Sequence, residues 1–281
     1  MAKTFIGRMG AKNLLRTIFL LWVFIGLVAI ISIILIVRYA VNSSESKNYA
    51  KNLQEEVVIF KVEDEKSMYI GGSKSDELSV NDGTDEKKVD IPESIDFAKL
   101  KGISEDAKAW LFQPGGGINY SVAQGKDNEF YLNHLLDGSE NTAGNLFIDY
   151  RNEEPFYDDL TIIYGHNMKN GTMFGMLNHY AKQSYYDENP VMYLYTPEGR
   201  RELVILGGMK VEPDDDVYSM IDGRDEQNAL VRKIMENSTF NASKESAQGA
   251  DDRGDLLRLV MLSTCNGRNS FKRYVLLTYI K

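Results

Sequence analysis

The feature that most constrains this chain is the uncharged apolar run from Thr17 to Val37, TIFLLWVFIGLVAIISIILIV. A helix needs roughly 20 apolar residues to cross the hydrocarbon core of a bilayer, and this run supplies them. No charged residue interrupts it, which argues against a helix buried in a soluble core. Lys3, Arg8, Lys12 and Arg16 precede it without an acidic residue among them. That asymmetry predicts a cytoplasmic N-terminus, with everything after Arg38 outside. The rival reading is a cleaved signal peptide, with an apolar core of about 7–15 residues and a small-residue cleavage site directly after it. The run here is longer, and RYAVNSSES following it offers no clean small-x-small site. The sequence therefore reads as an uncleaved, single-pass signal-anchor.

The expected organisation follows from this. Residues 1–16 form a basic cytoplasmic tail, 17–37 the anchor, 38–90 an extracellular stalk or linker, and 91–281 a folded domain. Within the stalk, Tyr49, Leu53, Val57 and Phe60 fall at near-helical spacing, which predicts a helix over 46–60. The polar stretch MYIGGSKSDELSVNDGTDEKKVD after it reads as a flexible linker. From Ile91 the pattern changes. Phe97–Ile103 and Ala107–Phe112 read as short helices, ending at Gln113-Pro114-Gly115. Short β-branched and aromatic runs follow at 118–122, 145–149, 160–164, 191–196, 200–211, 256–263 and 273–280, and these predict strands. Thr196-Pro197-Glu198-Gly199 is a turn that joins two of them as a hairpin. Met173–Tyr180 and Glu226–Asn237 read as helical. Many short strands with helices in the connections predict a mainly β, closed or nearly closed barrel.

Composition narrows the chemistry. A net charge of −9 excludes the usual basic nucleic-acid binder. The single cysteine, Cys265, excludes an internal disulfide and a multi-thiolate metal site. Only three histidines are present, His134, His166 and His179, so a zinc site has little material. An unpaired cysteine outside the cell is either buried and inert or kept for reaction.

Cys265 follows the strand LLRLVMLS and precedes the turn-forming Asn266-Gly267-Arg268-Asn269. Arg273 opens the next strand, RYVLLTYI. If the two strands are antiparallel neighbours, the thiol and the guanidinium meet at one end of the sheet. There the arginine would favour a thiolate and could hydrogen-bond an oxyanion. His166 ends the strand LTIIYG and is the candidate acid and base for cysteine chemistry, with Gly165 bending the backbone to aim it. The bland alternative for each is a buried cysteine, a surface arginine and a strand-end histidine. His134 in FYLNHLLDG suits a pocket wall, and His179 a surface or packing role.

Leu262-Ser263-Thr264-Cys265 followed by Arg273 resembles the TLxTC…R signature of sortases. The stretch from Gly144 to Tyr180, GNLFIDYRNEEPFYDDLTIIYGHNMKNGTMFGMLNHY, is similar to the class B region around the catalytic histidine. NYSVAQGKDNEFYLNHLLDG and IDFAKLKGISEDAKAWLFQPGGGINY also resemble that class, so the likeness covers about 95–281. The resemblance implies an eight-stranded barrel and a membrane-anchored cysteine transpeptidase. Its substrates would be surface proteins bearing a C-terminal sorting signal, cut after Thr and passed to a cell-wall or pilin amine. It implies Cys265 as nucleophile, His166 as acid and base, and Arg273 as the oxyanion and backbone partner. Ser263 and Thr264 would flank the pocket, and Leu132 and Asn133 would line the groove. No cofactor, metal or nucleic acid is implied.

The family pattern is departed from in places. Met261 stands for the Thr that opens the signature, Asn167 for a second His, and Arg268 for an acidic loop residue. The segment from Glu212 to about Asp222, with Asp214-Asp215-Asp216, lacks regular calcium-ligand spacing and reads as a solvated acidic turn. The connection 213–255, with its helix, is expected to wall the groove. Pilus-building class C members add a lid and a second membrane segment, so a chain stopping at Lys281 reads as class B. An exported cysteine hydrolase using the same Cys and His, and a non-catalytic anchored binding module, remain the other readings.

Overall fold

The computed structural model describes residues 11–60, 90–243, 256–265 and 272–281, with side chains from residue 15 onward. Residues 68–89 of the linker expected over 68–90, and the expected turn Asn266-Gly267-Arg268-Asn269, lie outside the described residues. The chain divides into two compact units, 1–46 and 47–281. Helix α1 spans Ala11–Val57. Its N-terminal part is long and apolar enough to cross a membrane, and its large apolar side chains from Leu15 to Val37 are exposed.

The second unit takes in the last turns of α1, where Leu53 and Val57 are buried in the same cluster as Ile95 and Leu100. Strand β1 (Val58–Ile59) pairs with β2 (Ser94–Ile95), and Gln54 Nε2 donates to the Asn119 carbonyl at 2.7 Å. Helix α2 (Phe97–Ile103) starts where Asp96 accepts from the Lys99 N–H at 3.1 Å, an N-cap that satisfies one orphan donor.

Eight strands close the barrel: β3 (Ala107–Phe112), β4 (Asn119–Ala123), β5 (Leu146–Ile148), β6 (Leu160–His166), β7 (Val191–Thr196), β8 (Gly199–Val211), β9 (Leu259–Cys265) and β10 (Arg273–Ile280). Their order around the barrel is β10-β8-β7-β3-β4-β5-β6-β9. Pairings are antiparallel except β4 with β5 and β6 with β9. The expected hairpin is present, with Thr196 opposite Gly199 across β7 and β8.

Ala107–Phe112 is a strand, not the helix its composition predicts. Alanine and lysine favour helix, but Ala109, Trp110 and Leu111 are all buried between β4 and β7, and packing overrides propensity. Trp110 Nε1 fixes the arrangement by donating to Asn119 Oδ1 at 2.6 Å. Phe174–Ala181 forms a 3₁₀ helix, where an ordinary helix is expected over 173–180. The short helix α3 (Gln183–Glu188) follows it. Helix α4 (Arg224–Glu236) carries Asp225 and Glu226 in its first turn and Lys233 in its last, matching its dipole. It buries Gln227, Leu230 and Ile234, one stripe at helical spacing. Gln227 and Leu257 exchange two hydrogen bonds, at 2.7 and 2.8 Å, which ties α4 to the chain entering β9.

Candidate active site

Three strand ends bring the candidate residues together. Strands β6 and β9 run parallel in continuous register from Leu160↔Leu259 to His166↔Cys265, so histidine and cysteine are direct neighbours. Strand β10 lies antiparallel on the other side of β9, with Val275 opposite Ser263. The same register carried two residues on sets Arg273 level with Cys265. All three side chains are half-buried at one end of the barrel. The Asn167 N–H donates to the Cys265 carbonyl at 3.1 Å and continues the β6–β9 contact past the last ladder pair.

Gly165 works differently from the bend expected of it. Its φ is not in the left-handed region. A Cβ there would run into Leu146 and into the Phe174 ring, so glycine lets β6 lie tight against both. Burial pushes the Cys265 thiol up to about 11, while the Arg273 charge and a hydrogen bond from the Gly165 backbone pull the other way. Burial thus favours the thiol over the thiolate.

His166 Nε2 lies 2.7 Å from the Leu132 carbonyl. A carbonyl only accepts, so Nε2 is the donor in this contact, and Nδ1 is the other ring nitrogen. Leu132 ends the 3₁₀ turn Phe130–Leu132. That turn is braced by Asn145 N donating to the Tyr131 carbonyl at 2.9 Å and Asn141 N to the Asn133 carbonyl at 2.8 Å. Gly144, at φ 61, packs so closely under the turn that any Cβ would strike the Tyr131 carbonyl. Leu132 is partly buried beside the histidine and Asn133 is exposed.

Ser263 and Thr264 are both fully buried. The Ser263 hydroxyl shares a 2.9 Å hydrogen bond with the Tyr218 hydroxyl, and Thr264 Oγ1 accepts from the Tyr274 N–H at 2.8 Å. They brace the strand from below. The other histidines lie elsewhere: His134 stacks on Phe130 at 4.1 Å, and His179 meets the Tyr185 ring edge-on at 5.2 Å.

Two participants carried no local signal in the sequence. The Leu132 backbone carbonyl, rather than its side chain, touches His166. Tyr218, within the stretch read as an acidic turn, places its ring 5.3 Å from the Arg273 guanidinium. In that stretch two of the carboxylates are taken up by a lysine. Lys233 Nζ contacts Asp215 Oδ1 at 2.6 Å and also Asp216 Oδ1. No group of three or more His, Cys, Asp or Glu that could hold a metal occurs among the described residues.

A closed barrel with cysteine, histidine and arginine at adjoining strand ends has the makings of a sortase, and comparison with known proteins agrees. No family model matches the chain. It is 30% identical over 175 residues to "Sortase B" of Staphylococcus aureus, covering 60% of this chain and 67% of that protein. It is also 30% identical over 177 residues to "Sortase B" of Listeria monocytogenes, covering 62% and 68%. The solved S. aureus sortase B–substrate complex superposes with a TM-score of 0.58 at 28% identity, covering 66% of this chain and 84% of the other. The chain belongs to the sortase family, class B, and its general activity is that of a sortase transpeptidase.

Proposed function

We propose that Cys265 is the nucleophile, His166 the proton carrier and Arg273 the oxyanion partner of a surface-protein transpeptidase. The observation that carries this is the His166↔Cys265 pairing of β6 and β9, with Arg273 at the adjoining end of β10 on the other side of β9. The sulfur attacks the carbonyl carbon of a Thr in a C-terminal sorting signal, and His166 Nδ1 takes the thiol proton as the C–S bond forms. The tetrahedral oxyanion accepts from the Arg273 N–H groups. The C–N bond then breaks, and His166 returns the proton to the departing amine. A cell-wall or pilin amine attacks the thioester, loses its proton to His166 and expels the sulfur, which is reprotonated.

Leu132 and Asn133 form the groove wall on the histidine side in this reading, while Ser263 and Thr264 act through the position of β9. The 47–59 segment packs within the barrel unit, so a stalk in this reading is confined to its flanks. The basic residues ahead of Thr17 put the N-terminus in the cytoplasm and the barrel at the cell surface.

The full chain in detergent micelles, incubated with sorting-signal peptides and an amine acceptor, is followed by mass spectrometry. Peptide–amine product and a peptide adduct on Cys265 are expected, and Cys265→Ala should abolish both. Water-cleaved peptide without any amine product would make the enzyme a hydrolase. Full activity in Cys265→Ala would remove the cysteine from the reaction.

A further inference from the structure

We propose that Tyr218 is a positioning residue whose ring is the shelf holding the Arg273 guanidinium level with Cys265. The Asp149–Arg151 pair fixes that shelf from behind. This rests on the roles proposed above for Cys265 and Arg273.

Tyr218 comes from the connection between β8 and α4, in the 3₁₀ turn Asp216–Tyr218, and is nearly buried. Both ends of it are held. Its hydroxyl bonds Ser263 Oγ at 2.9 Å, two residues before Cys265 on the same strand. Its carbonyl accepts from Arg151 at 3.0 Å. Arg151 is clamped in turn, reaching the Asp149 carboxylate at 2.9 and 2.6 Å. Asp149 is fully buried and also accepts from the Tyr164 hydroxyl at 2.9 Å. Tyr164 pairs in register with Ser263, which closes the circuit on β9.

The choice of a ring has a chemical reason. A carboxylate beside Arg273 would neutralise its charge and occupy its N–H fork. A tyrosine attracts the cation with its ring face, and its neutral hydroxyl engages one guanidinium N–H, which leaves the rest of the fork for the oxyanion. Burial pushes the Tyr218 phenol above its ordinary range, so it stays neutral and adds no competing charge. An arginine side chain has much rotamer freedom to lose, and a preformed shelf removes part of it before substrate arrives.

The test is a double-mutant cycle on the full chain in micelles. Tyr218→Leu, Tyr218→Phe, Arg273→Ala and the Leu/Ala double variant are compared by kcat, KM and the rate of iodoacetamide alkylation of Cys265 at fixed alkaline pH. Tyr218→Leu should lower kcat by about tenfold, the scale of a partly desolvated cation–π contact, with little change in KM. It should slow alkylation, as Arg273→Ala does. Tyr218→Phe keeps the ring face but loses the Ser263 bond, so both rates should fall between those of the parent and of Tyr218→Leu. In the Arg273→Ala background Tyr218→Leu should add nothing. A full-sized Tyr218→Leu effect in that background would overturn the proposal. Unchanged kinetics in Arg273→Ala alone would instead overturn the role of Arg273. NMR of the unaltered chain guards against a variant that fails to fold. Upfield ring-current shifts on the Arg273 side-chain protons are expected, and random-coil positions would refute the shelf.

Discussion

Arg151 and Arg273 lie on either side of one tyrosine and do opposite work. Arg151 meets a fully buried carboxylate through a two-pronged pair, and the remaining oxygen capacity of Asp149 is filled by Tyr164. Burial pushes the Asp149 carboxyl up, but the Arg151 hydrogen bonds outweigh it and hold the group below the usual carboxylate range. Arg273 is matched to a ring and a thiol, with no carboxylate ion pair among the described residues. A saturated guanidinium locks structure, whereas one with its fork open keeps charge and donors for a reaction. Two residues of the same type are thus separated by what surrounds them.

The largest expected difference is kinetic. Arg273→Lys keeps the charge and loses the fork, so the transfer rate should fall by about 10²-fold or more, the scale of losing an oxyanion donor. Its unfolding free energy should stay within about 0.5 kcal/mol of the parent, as for a surface substitution. Peptide-transfer kinetics and urea unfolding on the same sample check both halves; near-normal turnover would remove Arg273 from the mechanism. Arg151→Ala should show the inverse pattern. It strands a buried carboxylate, and unfolding should become easier by roughly 3–5 kcal/mol. Asp149→Asn should cost less, because the partly exposed Arg151 can turn toward water.

Acid sharpens this contrast. A carboxyl held below its unfolded value binds fewer protons when folded, so its contribution is present above the usual carboxylate range and is lost as pH falls through the folded value. The parent should therefore lose urea resistance between neutral pH and about pH 3 more steeply than Arg151→Ala, which lacks the pair. Equal slopes would show that the pair carries no pH-dependent stability.

The reactive residues were far easier to find in the sequence than the groups that hold them. Cys265 and Arg273 stand close in the chain at the facing ends of two strands, so their convergence required only antiparallel neighbours. His166 also lay at a strand end, but its parallel pairing with β9 joins segments far apart in the chain, and no local pattern encodes that. The Leu132 contact is made by a backbone carbonyl, which every residue possesses. Tyr218 sits among aspartates in a connection whose polarity suggested solvent, yet it is buried, with its hydroxyl on Ser263 and its carbonyl on Arg151, both far away in the chain. The barrel's hairpin was visible in its turn residues, whereas β3 was hidden because an alanine- and lysine-bearing segment takes its form from neighbours on both sides.

A third cation completes the comparison at its weak end. Lys233 reaches two carboxylates, Asp215 and Asp216, from the last turn of α4. Counted by partners it rivals Arg151, but the environment differs. Asp216 is exposed and the ammonium is partly solvated, so water screens the attraction that burial preserves at Asp149. Lys233→Met should therefore cost no more than about 1 kcal/mol in urea unfolding, and 1 M salt should erase most of that difference. It should also leave Asp215 and Asp216 without their counter-ion, so calcium titration monitored by melting temperature asks whether the lysine stands where a cation could. The parent should show no shift, because Lys233 already supplies the positive charge. A calcium-dependent rise in the parent would mean that the acidic turn holds a metal with the lysine displaced, and that the weakest of the three cation sites is a ligand site.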